Sequence, residues 1–184
     1  MSRVAVVKLD GDYEKALREA VNLIGGFRHL KSPVLIKPNI CVEHDKSRES
    51  TTNIQLVEAV INEILKINRK TAVRIIESDS AEKWVEKAFE KFGYRELESK
   101  FQRKGFDVKL INLSREKTVR IDVNGLYFKQ LQLPMILLQP RYLISLAKAK
   151  MHTLTYITGA LKNMFGCLPE KDKDRYHRHI NEVI

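Results

Sequence analysis

The residue types that can do chemistry crowd together in residues 146–169, LAKAKMHTLTYITGALKNMFGCLP. Lys148 and Lys150 alternate, and His152 continues the alternation. In an extended segment, all three fall on one side. Two ammonium groups beside an imidazole bind a carboxylate or a phosphate, and their charge lowers the imidazole pKa. Thr158 is placed to cap a short helix entered through Gly159, whose free N–H groups attract anions. Lys162 and Asn163 lie on its first turns. Gly159 and Gly166 allow close backbone approach. Apolar neighbours, Met151, Leu154, Ile157, Met164 and Phe165, argue against a freely solvated basic loop. His152, Lys150 and Lys162 are therefore the candidate catalytic groups. Lys148, Thr158, Gly159, Asn163 and Gly166 are candidate ligand contacts.

Two other short segments carry polar groups next to apolar runs. In Lys37-Pro38-Asn39, either proline stops a buried strand and asparagine makes an Asx-type turn, or Lys37 and Asn39 face a ligand. Asp79 suits a base, a ligand contact or a metal ligand. It equally suits hydrogen bonding beside a helix start, where negative charge matches the dipole. His152 and His177 are the candidate metal ligands. His179 is two residues beyond His177 and so points about 200° away on a helix; it reads as surface. His29 and His44 have no supporting context.

These residues need elements to hold them. Apolar runs predict strands at 4–9, 34–37, 72–76, 108–113 and 142–146. Helical periodicity predicts helices at 12–24, 53–68, 80–92, 95–104 and 173–184, with Asn53 and Ser80 as N-caps. Polar residues 43–52 read as a loop. Two strand-like runs, 118–123 and 126–133, flank Asn124-Gly125, the signature of a two-residue hairpin turn. Strands alternating with helices imply an α/β fold: a mainly parallel, Rossmann-like sheet flanked by helices, with an antiparallel hairpin inserted near 118–133. Ligands of such sheets bind beyond the carboxyl ends of the strands. Lys37 to Asn39, Glu77 to Ser80 and Lys148 to Thr155 all fall there.

Composition bounds the rest. A chain of 184 residues with 43% hydrophobic content is long enough for one domain with a real core. No apolar run reaches the roughly 20 residues of a membrane helix, and the N-terminus has no secretory pattern, so a cytoplasmic protein is expected. Cys41 and Cys167 are far apart and make no CxxC pair, so the chain has no self-contained iron–sulfur or zinc motif. The net charge of +10 points to an anionic partner. A small anionic ligand fits better than nucleic acid, because aromatics are not interleaved with the basic residues. A basic nucleic-acid-binding module stands as the alternative. The last predicted helix carries Tyr176, Ile180, Val183 and Ile184 on one apolar face, which implies docking to a redox partner or to a second copy.

The motifs VLIKPN at 34–39, Thr51-Thr52-Asn53, IIESDS at 75–80 and KAKMHTLTYITGALKNMFGCLPEKDKDRYH at 148–177 resemble the family catalogued as domain of unknown function 362. The resemblance spans essentially the whole chain. It implies that residues 1–184 are one α/β domain and part of a larger family domain. Many members also carry ferredoxin-type cysteine motifs, which are not found here. A more distant similarity, in Asp45-Lys46-Ser47-Arg48 and in His152 to Lys162, is to lactate racemase and its relatives. That similarity implies histidines assisting proton transfer and a lysine that tethers a nickel pincer cofactor.

Overall fold

The computed structural model describes residues 3–41, 49–81, 83–139, 142–152 and 154–183. Its centre is a four-stranded parallel sheet: β1 (Val34–Pro38), β2 (Val73–Glu77), β3 (Val108–Asn112) and β6 (Tyr142–Leu146), in the order β3-β2-β1-β6. The chain builds outward from β1 to β2 and β3, then returns to the other side of β1 as β6. Strand order therefore reverses at β1, and the crevice beyond the carboxyl ends opens there. Every residue of β1 is buried. That is why its first three residues, Val34 to Ile36, read as a continuous apolar run rather than an alternating one.

The two faces of the sheet are covered differently. Val34, Ile36, Val73, Ile75 and Val108 face a core built with α2 (Ile54–Ile67), α3 (Val85–Lys91) and α4 (Tyr94–Arg103). In α2, Val57, Val60, Ile61, Ile64 and Leu65 are buried, and Asn53 caps it by accepting the Gln55 N–H at 2.8 Å. The amphipathic α1 (Tyr13–Ile24) packs on α2 and buries no residue fully. On the opposite face, Leu35 and Ile76 meet Leu113, Leu137 and Cys167. The short α5 (Ala160–Met164) and the 3₁₀ turn Phe165–Cys167 follow from a small hairpin of β7 (Lys150–His152) and β8 (Tyr156–Thr158).

Five expectations are corrected. Residues 4–9 form no strand; Val4 and Val6 are 89% and 92% exposed. Alternation alone does not make a strand without a partner's ladder, and no described residue pairs with this segment. The inserted antiparallel hairpin is present as expected, as β4 (Thr118–Asp122) and β5 (Gln130–Pro134) in a two-stranded sheet of its own, but its turn differs. Its last pair is Asp122 with Gln130, so Asn124-Gly125 is part of a longer connection and not a two-residue turn. Tyr127 and Phe128 pack edge-on against Tyr176, which takes them out of the second strand. Ser80 does not cap α3: it bridges to Lys83 while Asp79 Oδ1 accepts the Val85 N–H at 2.8 Å. Thr158 does not cap α5 either: it ends β8, and no side chain caps this five-residue helix.

The C-terminal segment is the fifth. It is a 3₁₀ helix, Asp174–His179, followed by one turn, α6 (Ile180–Val183). Tyr176 and Ile180 are buried against Phe165 and Leu168, with Phe128, Leu131 and Leu133 of the β4–β5 region packed on them. The apolar face expected to lie open is thus covered by the chain's own hairpin; Ile184 lies outside the described residues. No helix among the described residues is long and apolar enough to cross a membrane.

Candidate functional site

A cavity of about 390 Å³ opens at the carboxyl ends of β1 and β2, beneath the β7–β8 hairpin. Its floor is a buried charge cluster. Lys37 and Glu77 are each 1% exposed and Lys83 is 4% exposed. The Lys37 ammonium lies 2.7 Å from Glu77 Oε2, and the Lys83 ammonium 3.1 Å from Glu77 Oε1. The Ser78 N–H donates to Glu77 Oε1 at 2.9 Å. Burial alone would raise the Glu77 carboxyl; the two ammonium groups outweigh it and hold the pKa below the ordinary range. For Lys83, burial outweighs Glu77 and pulls the ammonium pKa down.

Each floor residue is set by the sequence around it. Lys37 sits inside an all-buried strand, so its ammonium must find acceptors within the protein. It donates to Glu77, to the Pro38 carbonyl at 2.8 Å and to Asn163 Oδ1 at 3.5 Å. Gly166 makes this arrangement sterically feasible. A Cβ there would lie 2.8 Å from Glu77 Oε1 and 2.9 Å from Lys37 Nζ. Lys173 closes the cluster from the C-terminal segment. Its ammonium donates to Ser78 Oγ and the Glu170 carbonyl, each at 2.8 Å, and to the carbonyls of Asp79 and Leu168. Burial, then the nearby Lys83 charge, bring its pKa down to about 8.

The walls are more open. Lys162 rests over the Phe165 ring, 4.5 Å from its centroid, and has no carboxylate partner among the described residues. Burial and Lys150 lower its pKa against the opposing pull of Cys41 and Asp174. Lys150 donates to the Ser50 carbonyl at 3.3 Å. His152 Nδ1 accepts the N–H groups of Leu154 and Thr155 at 3.2 and 3.4 Å. The neutral ring therefore carries its proton on Nε2, which makes it a donor. Burial first, then Lys162, His177 and Lys150, lower its pKa. His177 stacks on Phe165, and its Nδ1 lies 3.4 Å from Asp174 Oδ1. Burial and Lys162 lower its pKa despite Asp174.

The structure gathers most of the residues singled out from sequence. Lys37, Asn39, Lys150, His152, Thr158, Lys162, Asn163, Gly166 and His177 all line this one cavity; Lys148, Gly159 and Asp79 do not. Asp79 is occupied at the start of α3, and its Oδ1 lies 3.4 Å from Asn112 Nδ2. Asn163 acts as a brace: its Nδ2 donates to the Lys37 carbonyl at 2.9 Å and to Ser145 Oγ at 3.0 Å. Asn39 braces too, through Ser50 and Thr52. Thr52 completes that knot by donating to the Leu146 carbonyl at 2.6 Å. The residues the sequence did not single out are Lys83, Lys173 and Asp174. Lys173 sits in a polar stretch that reads as solvated surface, and Lys83 in the first turn of an expected helix, so only the tertiary fold reveals their burial. Thr153, His44 and the stretch 45–48 that carries the looser resemblance lie outside the described residues.

This α/β chain with a cationic cavity at its strand ends belongs to the family described as domain of unknown function (DUF362), whose model matches residues 34–184. No curated protein and no solved structure matches it. The residues present do not fit an iron–sulfur cluster. The chain has two cysteines; Cys41 lines the cavity, and Cys167 is buried in the core on one face of the sheet. A metal ion at His152 and His177 fits poorly as well. Their ring centroids are 6.3 Å apart, and no group of three His, Cys, Asp or Glu suited to a metal ion comes together among the described residues. The surrounding ammonium groups repel a cation.

Proposed function

We propose that this chain is the ligand-binding domain of an enzyme that acts on an anionic metabolite, carboxylated or phosphorylated, seated between Lys150, Lys162 and His152. One observation carries the reading. Among the described residues, five lysines, Lys37, Lys83, Lys150, Lys162 and Lys173, line a cavity that holds two carboxylates, Glu77 and Asp174. An excess of buried positive charge is costly without a counter-charge, and a bound anion supplies one. Proton transfer next to a carboxylate is the reaction class that suits these groups. His152 donates from Nε2 to a developing oxyanion. His177, with Nδ1 turned toward Asp174, leaves its Nε2 as the proton acceptor. Lys162, whose ammonium pKa is lowered by burial, supplies positive charge beside the anion.

The test is a thermal-shift screen of small carboxylates and phosphates on the wild type and on Lys162→Ala and His152→Ala. A ligand that binds only the folded state raises the midpoint as its concentration exceeds Kd. The wild type should rise by several degrees, and each variant by less. If no anion stabilises the wild type, or both variants respond as it does, the reading fails.

A further inference from the structure

We infer that the cavity is built for a tetrahedral dianion, the phosphate group of a phosphomonoester, with Lys83 as its floor contact. This deepens the anion-binding reading above and depends on it. An ammonium group has three N–H donors, so the lysines can be sorted by what they have left. Lys37 spends its donors on Glu77 and on the oxygens of Pro38 and Asn163. Lys173 has four protein acceptors within reach. These two supply charge and no grip. Lys83 has two acceptors among the described residues, the Ile40 carbonyl at 3.0 Å and Glu77 at 3.1 Å. Its third N–H is left for the cavity it lines.

The remaining donors come from other elements. Lys162 on α5 has no hydrogen-bond acceptor among the described residues, Lys150 on β7 has one backbone acceptor, and His152 offers Nε2–H. Donors therefore reach the space from the loop after β2, from the β7–β8 hairpin and from α5. A carboxylate presents two oxygens in one plane. A phosphate presents three strongly accepting oxygens spread around a tetrahedron, which suits point donors from three directions, and lysine binds phosphate as a point charge. Charge points the same way. Among the described lining residues, five ammonium groups against two carboxylates leave an excess of up to three positive charges. A monocarboxylate offsets one of them and a phosphomonoester dianion two. The cavity volume of about 390 Å³ leaves room for a small organic body against Ile40, Leu154 and Phe165.

Titration calorimetry at constant ionic strength, with inorganic phosphate, malonate and acetate as probes, tests this directly. Malonate matches the dianionic charge without the tetrahedral shape. Phosphate should bind at least tenfold tighter than malonate, and acetate weakest. Lys83→Met should weaken phosphate at least fivefold with an unchanged circular dichroism spectrum. Should Lys83→Met not fold, Lys83→Gln reads the same contact. Malonate binding as tightly as phosphate overturns the tetrahedral assignment and leaves the anion-binding reading standing. Undiminished phosphate affinity in the folded Lys83 variant overturns the floor contact. Failure of all three probes to bind overturns both readings.

Discussion

At the scale of single residues, Glu77 is the point on which the site's electrostatics turn. Among the described residues it is the one carboxylate shared by two buried lysines. Glu77→Gln would leave both ammonium groups without their counter-charge, at a cost of about 3–5 kcal/mol, read as a shift in the urea midpoint. The pH dependence has a definite sign. Because the folded-state pKa of Glu77 is lowered, its contribution is present above the unfolded carboxylate value and is lost as pH falls through the folded one. Lys173 behaves in the opposite sense. Its folded value of about 8 lies below the unfolded value of about 10.4, so the folded state gives up this proton first as pH rises. Stability therefore gains between those two values, and Lys173→Met should flatten that rise. Anion affinity follows the imidazoles. His152 and His177 are neutral until pH drops below their lowered pKa values, so affinity for an anion whose own charge does not change should climb as pH falls below the ordinary imidazole range. His152→Gln should blunt that climb in the same calorimetric measurement.

At the scale of elements, the two polar residues after β2 have separate jobs that can be told apart. Asp79→Ala removes the acceptor for the first amide of α3 and should cost about 1–2 kcal/mol. Ser80→Ala should change stability by less than about 0.5 kcal/mol, since Ser80 is only half-buried and bridges through its backbone. Denaturant titration of the pair decides it; equal effects would mean that Ser80 is the cap after all. Elements that bury a regular stripe were legible in the sequence. Five of the six buried positions of α2 follow one helical stripe, Ala59 being the exception, and β1 opens with the continuous apolar run, Val34 to Ile36, of a strand covered on both faces. Elements whose form depends on distant partners were not legible. The connection at Asn124-Gly125 is drawn open by contacts from Phe128 to Tyr176, far along the chain. The site was half legible for the same reason. Lysines flanked by apolar residues, such as Lys37 and Lys162, stood out. Lys173 lies among polar neighbours, and the burial of Lys83 against Glu77 and Ile40 is set by contacts far along the chain.

At the scale of the whole molecule, the net charge of +10 does not translate into an equally basic surface. Lys37, Lys83 and Lys173 are almost fully buried and cannot reach a polyanion. Binding to nucleic acid rests on phosphate contacts and falls steeply with salt, so a gel shift with duplex DNA or RNA should show no retardation at about 150 mM salt. The Lys173 clasp has a wider consequence. One ammonium ties the segment after Leu168 to Ser78 and Asp79 at the end of β2, while Tyr176 and Ile180 hold the same segment to the β4–β5 region. The amides from Phe165 to Val183 should therefore exchange with deuterium as one cooperative unit, opening at a lower free energy than the central strands. That opening would uncover the cavity floor, and a saturating anion should slow exchange across the whole unit together, including amides that the anion never touches.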